Sequence, residues 1–227
     1  MKMIENLLLS EMSHQEIVDK WISTDKDNTY LLDHNITENS IVMEFGGYRG
    51  EWTKNMYEKY GCNIFVYEPV KKNYDYLSHM FSSVEKIKVL KYGVSDSTRE
   101  CIINTNNTKN DSSSIYQEMI NTGETEIIQL KDVNDTINEI VSNDIDLISM
   151  NIEGCEYEVM ESLIKSGLIE KIKKIQIQFH FEIGPESFDR RAKIQKRLTK
   201  THELIYNYDF CWEAWQRKKT NEDNEYI

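Results

Sequence analysis

No stretch of this 227-residue sequence is apolar over the roughly 20 residues that a membrane-spanning helix requires, so a membrane protein is not expected. The opening "MKMIENLLLSEMSHQE" holds only a short apolar run bracketed by acids, too short for a signal peptide. Cysteine is scarce and scattered. Cys62, Cys101, Cys155 and Cys211 form no C-x-x-C pair, which disfavours a disulfide framework or a zinc site and points to free thiols in the cytoplasm. Positive charge is also short: 27 Lys and Arg face 39 Asp and Glu, giving a net charge of −12 with no basic cluster. A nucleic acid, which demands phosphate-neutralising cations, is therefore a poor partner. Internal repeats and linkers are absent too, and the length suits a single domain over 1–227, with homo-oligomerisation left open.

What is present is a rhythm. Ile4, Leu7, Leu8, Ile17, Val18, Trp21 and Ile22 fall at helical spacing, predicting an N-terminal helical cap over 1–35. From residue 40 the chain alternates: "SIVMEF" (40–45), a helical stretch ending at Gly61, "CNIFVYEP" (62–69), another helical stretch, then "KIKVLKYGV" (86–94). This β-α-β-α-β order predicts an α/β, Rossmann-like domain, mostly parallel, with helices on both faces of the sheet. A Ser-, Thr- and Asn-rich loop around 105–124 is a candidate lid, preceded by a candidate edge strand at Cys101–Asn104. The last third reads as helix, strand, turn and strand, a terminal antiparallel hairpin, and the polar tail 218–227 is expected to fray.

Ligands of such sheets bind beyond the carboxyl ends of the strands, closest to the turn after the first one. Gly46, Gly47 and Gly50 occupy that turn, in the pattern E-x-G-G-x-x-G beginning at Glu44, with Tyr48 and Trp52 beside it. The dinucleotide fingerprint G-x-G-x-x-G lacks its middle glycine here, and no G-K-[ST] follows, which argues against NAD and excludes a P-loop. An acid at position 44 would repel a phosphate but suits the ammonium and sulfonium of S-adenosylmethionine; its plainer role is to cap the turn. Glu68 follows Gly46 by 22 residues, the offset at which a carboxylate accepts ribose hydroxyls. That role serves NAD and S-adenosylmethionine alike. The terminal antiparallel strand favours methyl transfer.

With "VYEPVKKNYDYL" and "DLISMNIEGCEYEVMESL" in view, the sequence resembles the FkbM family of S-adenosylmethionine-dependent methyltransferases from about residue 40 to 181. The matching pieces are Glu44 with Gly46 and Gly50, Glu68 and Pro69 with Asn73 and Leu77, Ser95 and Asp96, Ser112 to Ser114, and Glu153, Gly154 and Glu156. The resemblance implies O-methylation of a small-molecule or glycan acceptor, sugar hydroxyls included, in glycan biosynthesis. It also implies cofactor contacts at Pro69, Ser95, Asp96 and Asn151. Asn151 stands where the family carries Asp, so it can orient a ligand but not take a proton, which leaves a silent cofactor-binding subunit as an alternative. Two residues are candidate catalytic bases for a sugar hydroxyl: His180, as a neutral imidazole, and Glu153, whose plainer role is helix capping. Some related enzymes use a divalent cation; Glu153, Glu156, Asp96 and His180 show no ligand spacing, and no metal is assigned. The aromatic residues Tyr206, Tyr208, Phe210, Trp212 and Trp215 on the hairpin are expected either to pack the core or to wall a sugar site.

Overall fold

A computed structural model describes residues 12–25, 29–104, 125–140 and 144–219. The candidate lid and Ser112 to Ser114, the apolar residues Ile4, Leu7 and Leu8, and most of the tail lie outside the described residues. In chain order the elements are α1 (His14–Thr24), α2 (Thr29–Leu32), β1 (Ile41–Phe45), α3 (Glu51–Tyr60), β2 (Asn63–Tyr67), α4 (Lys71–Met80), β3 (Ile87–Leu90) and β4 (Gly93–Ser95). These are followed by β5 (Arg99–Asn104), β6 (Thr125–Asp132), α5 (Val133–Ile140), β7 (Leu147–Met150), α6 (Glu156–Ser166), β8 (Lys174–Ile177), α7 (Glu186–Leu198), β9 (His202–Tyr208) and β10 (Trp212–Arg217).

Seven strands form the main sheet in the order β3-β2-β1-β7-β8-β10-β9. The first five run parallel, and β10 is antiparallel to both of its neighbours, giving the expected terminal hairpin. Alternate residues of each strand feed two cores. Met43, Phe45, Ile148, Met150, Ile175 and Ile177 meet α5, α6 and α7, whereas Val42, Ile64, Val66 and Leu147 meet Met56 of α3 and Leu77 of α4. Burial on both faces explains why these strands read as almost continuous apolar runs. It also makes Glu44, a carboxylate inside the central strand, an anomaly that invites a functional explanation.

One expectation is corrected. The run "KIKVLKYGV" is not one strand, because the chain leaves the main sheet after Leu90 and Gly93–Ser95 joins a separate three-stranded sheet, ordered β4-β6-β5. The Cys101–Asn104 strand lies there as well, at its edge. Val70, Ile103, Ile128 and Leu130 form the small apolar core that ties this sheet to the start of α4.

Candidate active site

The parallel strands deliver three segments to one edge of the sheet: the glycine turn after β1, the Glu68–Pro69 corner after β2, and the loop after β7. Gly46 has φ +89, and a Cβ there would lie 2.1 Å from the carbonyl oxygen of Asn151, so only glycine lets β1 and the β7 loop come together. Gly50 opens α3 at φ +74. Between them Tyr48, at φ 45, turns its amide to donate to Glu68 Oε2 at 2.8 Å, and Glu68 Oε1 accepts from the amide of Val70 at 2.9 Å. Burial pushes the Glu68 carboxyl up to about 7, against the pull of those two donors.

Two cavities flank the glycine turn. The first, of about 280 Å³, has Gly46, Tyr48, Glu68, Pro69, Asn151 and Glu153 on one side and an apolar wall of Val70, Ile103, Ile128 and Leu130 on the other. The second, of about 510 Å³, is lined by Glu44, Gly47, Gly50, Trp52, Ser149 and Trp212 among others, and it too reaches Gly46, Tyr48 and Asn151. Glu44 is buried, accepts a hydrogen bond from Thr53 Oγ1, and is pushed up to about 8 by burial, with the nearby Glu68 charge adding to the effect. The buried Oδ1 of Asn151 has no hydrogen-bond partner.

The loop after β7 carries the second concentration of charge. Glu153 lines the first cavity at φ 55, a strained conformation for a residue other than glycine. Burial raises its carboxyl above the ordinary range, while the His180 charge works the other way. His180 Nδ1 lies 3.0 Å from Glu156 Oε1, and its Nε2 lies 3.6 Å from Glu153 Oε2. Glu156 is fully buried and also accepts from the amides of Ile152 at 2.8 Å and Gly154 at 2.9 Å. Burial disfavours a charged ring at position 180, but the Glu156 and Glu153 carboxylates outweigh it and push His180 up to about 9. The neutral imidazole expected from sequence is thus disfavoured, because the flanking carboxylates favour the charged ring, which has no lone pair to accept a proton.

Ser95 and Asp96 are also placed differently from expectation. Neither lines either cavity; Ser95 Oγ donates to Glu158 Oε2 at 2.7 Å, and Asp96 pairs with Arg99 at 2.7 Å, tying β4 to β5 and α6. It is the preceding Gly93 and Val94 that reach the first cavity. Sequence reasoning also missed Ile103, Ile128 and Leu130, because their wall exists only once the small sheet has formed. Most of the hairpin aromatics pack: Tyr206 and Tyr208 contact Trp21 and Tyr30, and Trp215 is buried, whereas Trp212 lines the second cavity. Among the described residues no group of three His, Cys, Asp or Glu side chains is arranged to hold a metal ion. None of the described helices is long and apolar enough to cross a membrane.

The site fits S-adenosylmethionine on three observations. Gly46 lets the glycine turn close against the Asn151 backbone at the rim of both cavities, Asn151 Oδ1 awaits a donor such as an ammonium, and the acids at 44 and 68 suit a cation and a pair of hydroxyls.

A family model described as the Methyltransferase FkbM domain matches residues 44–208. Among solved structures, one provisionally described as an rRNA-methylase from Clostridium thermocellum aligns with a TM-score of 0.53 at 9% identity, covering 87% of this chain and 96% of its own. Another, a provisionally assigned methyltransferase from Streptococcus mutans in complex with SAH, aligns with a TM-score of 0.52 at 8% identity, covering 85% and 97%. Identities this low speak for the fold alone, which is that of these methyltransferases. No curated protein sequence matches the chain.

Proposed function

The chain belongs to the FkbM methyltransferase family and depends on S-adenosylmethionine, and from that premise we propose that it methylates a hydroxyl oxygen of a sugar or glycan precursor. When bound, the cofactor supplies an electrophilic methyl group on a sulfonium centre. In this reading Glu68 accepts the ribose hydroxyls, Pro69, Val70, Ile103 and Leu130 enclose the base, and Asn151 Oδ1 accepts from the ammonium. Glu44 and the glycine turn hold the methionine side through the second cavity. Charge-assisted bonds to such carboxylates contribute about 1.5 to 3 kcal/mol each.

The observation that carries oxygen as the acceptor atom is Glu153. A neutral sugar hydroxyl is a weak nucleophile and needs a base, and this carboxylate lies on the cavity wall with its proton affinity raised by burial. Its strained backbone holds the side chain at the first cavity. His180, charged and anchored by Glu156, is a positioning residue: it faces Glu153 and keeps that carboxyl from rising further. A net charge of −12 and carboxylates at every side of the site favour an uncharged acceptor over nucleic acid. The four free cysteines accord with a cytoplasmic setting.

The test is methyl transfer from labelled S-adenosylmethionine to a panel of mono- and oligosaccharides, amines and RNA. Transfer to a saccharide is expected, with Glu153→Gln lowering kcat by about 10² to 10⁴ while S-adenosylhomocysteine still binds. His180→Gln should move the acid limb of the kcat–pH profile to higher pH, since removing the cation makes Glu153 harder to ionise. Transfer to amines or RNA alone would overturn the reading, and an unaltered kcat in Glu153→Gln would remove the base assignment.

A further inference from the structure

Both β8 and β9 are antiparallel to β10, so β9 runs parallel to β8 and the β9–β10 turn lies at the same edge of the sheet as the two cavities. Three segments meet there outside the cavities: residues 178–183 after β8, the first turn of α7, and the turn 209–211. Each presents a phenylalanine. Phe181 lies 5.6 Å from Phe210, and Phe210 lies 4.7 Å from Phe188, both edge to face. Phe188 is 58% exposed, an unusual position for a phenylalanine that no core requires. Phe181 follows His180, whose ring faces Glu153, and the Phe181 ring itself meets His14 of α1 at 5.0 Å, so the row lies along the same sheet edge as the site.

Phe210 is the third described non-glycine residue at positive φ, +54, after Tyr48 and Glu153. Bulky residues adopt this conformation rarely, and surroundings that over-determine it are needed to hold it. Arg191 does so. Its guanidinium lies 4.8 Å from the Phe210 ring centroid, is itself buried, and is fixed by Glu213 at 2.6 Å, Asp209 at 3.0 Å and the side-chain oxygen of Asn207. The ring is thus clamped from beneath while its neighbour Phe188 faces solvent. Around it stand the exposed acids Glu182, Glu186 and Asp189, and Arg190 is engaged with Glu161 and the Tyr157 ring.

We infer that Phe188 and Phe210 form a stacking subsite for a second sugar ring of the acceptor, so that the preferred substrate is a neutral oligosaccharide rather than a monosaccharide. The inference rests on the glycan reading proposed above. An aromatic face held rigid matches the apolar C–H face of a pyranose, and the acidic fringe offers hydroxyl acceptors while repelling phosphate. Phe188 lies two ring contacts beyond Phe181, the residue after His180, so a sugar stacked there extends the acceptor along the sheet edge that carries Glu153.

The experiment titrates protein labelled with ¹³C-phenylalanine, seven residues in all, with neutral mono-, di- and tetrasaccharides in the presence of S-adenosylhomocysteine. Methyl transfer to the same panel is measured in parallel. The Phe188 and Phe210 signals are expected to move with the longer sugars only, and kcat/KM to rise with chain length. Phe188→Ala should weaken oligosaccharide binding by about threefold to tenfold and Phe188→Trp should restore it, with S-adenosylhomocysteine affinity reporting an intact fold. Saccharide transfer with unmoved phenylalanine signals, or equal shifts with monosaccharides, overturns the subsite and leaves the glycan reading standing. Transfer to RNA or an apolar metabolite in place of saccharides overturns both.

Discussion

Two glutamates sit buried at the same edge of the sheet, 5% and 0% exposed, and their surroundings could hardly differ more. Glu156, at the start of α6, has both oxygens engaged by backbone amides of its own loop and by the His180 ring. Glu44, inside β1, has a single hydroxyl from Thr53, faces a cavity, and is pushed up to about 8 by burial. A carboxylate whose partners are all supplied by the protein fixes a loop. One left short of partners beside a cavity is suited to a ligand that brings the missing charge. Glu68 stands between them, with two amide donors and yet a place on the cavity wall.

The sharpest way to break this comparison is Glu156→Gln. Whichever way the amide is turned, its NH₂ meets a backbone N–H, of Ile152 or of Gly154, and His180 loses the nearer of its two carboxylate partners. Breaking a buried pair by removing one member costs about 3 to 5 kcal/mol, so urea titration should show a large fall in midpoint. A loss under 1 kcal/mol would mean that the loop is not held by this carboxylate.

Glu68→Ala is expected to have a smaller effect, and on binding. If the carboxylate accepts both ribose hydroxyls, calorimetry should show S-adenosylhomocysteine affinity falling about 10- to 100-fold, the equivalent of about 1.5 to 3 kcal/mol. Because burial pushes this carboxyl up to about 7, affinity in the wild type should strengthen as pH rises from 6 to 8. Unchanged affinity in the variant would show that Glu68 only braces the Tyr48 and Val70 amides.

Much of this contrast was hidden in the sequence. The apolar run before Glu44, the three glycines and the E-P corner were legible because each is a local signal: strand period, turn chemistry and spacing. The terminal hairpin was legible for the same reason. Glu156 reads as an ordinary acid at a helix N-terminus, since its decisive partner lies 24 residues away and no local pattern marks a non-local contact. The protonation of His180 depends on that same contact. The small sheet was missed because "KIKVLKYGV" interleaves Lys with Ile, Val, Leu and Tyr and carries no turn signal before Gly93, and its break is imposed by tertiary pairing: Gly93–Ser95 pairs with Leu130–Asp132 of β6, where a Cβ on Gly93 would lie 2.7 Å from Leu130 Cδ2.

The smallest expected effect is the most telling. At pH 7 a Glu44 carboxyl pushed up to about 8 is mostly protonated, and a protonated carboxyl is close in shape and hydrogen-bonding capacity to an amide. Glu44→Gln should therefore change stability at pH 7 by no more than about 0.5 kcal/mol, although the residue is buried in the central strand. The sign of the pH dependence follows from the raised pKa. Between the ordinary value of 4.5 and about 8 the folded protein binds more protons at this site than the unfolded chain. Its contribution is full below about 4.5 and is lost as pH rises through 8. Raising the pH from 7 to 9 should then destabilise the wild type relative to Glu44→Gln, read as diverging urea midpoints. Parallel midpoints would show that Glu44 is already ionised in the folded protein and satisfied by partners, which would make it a second Glu156 rather than its opposite.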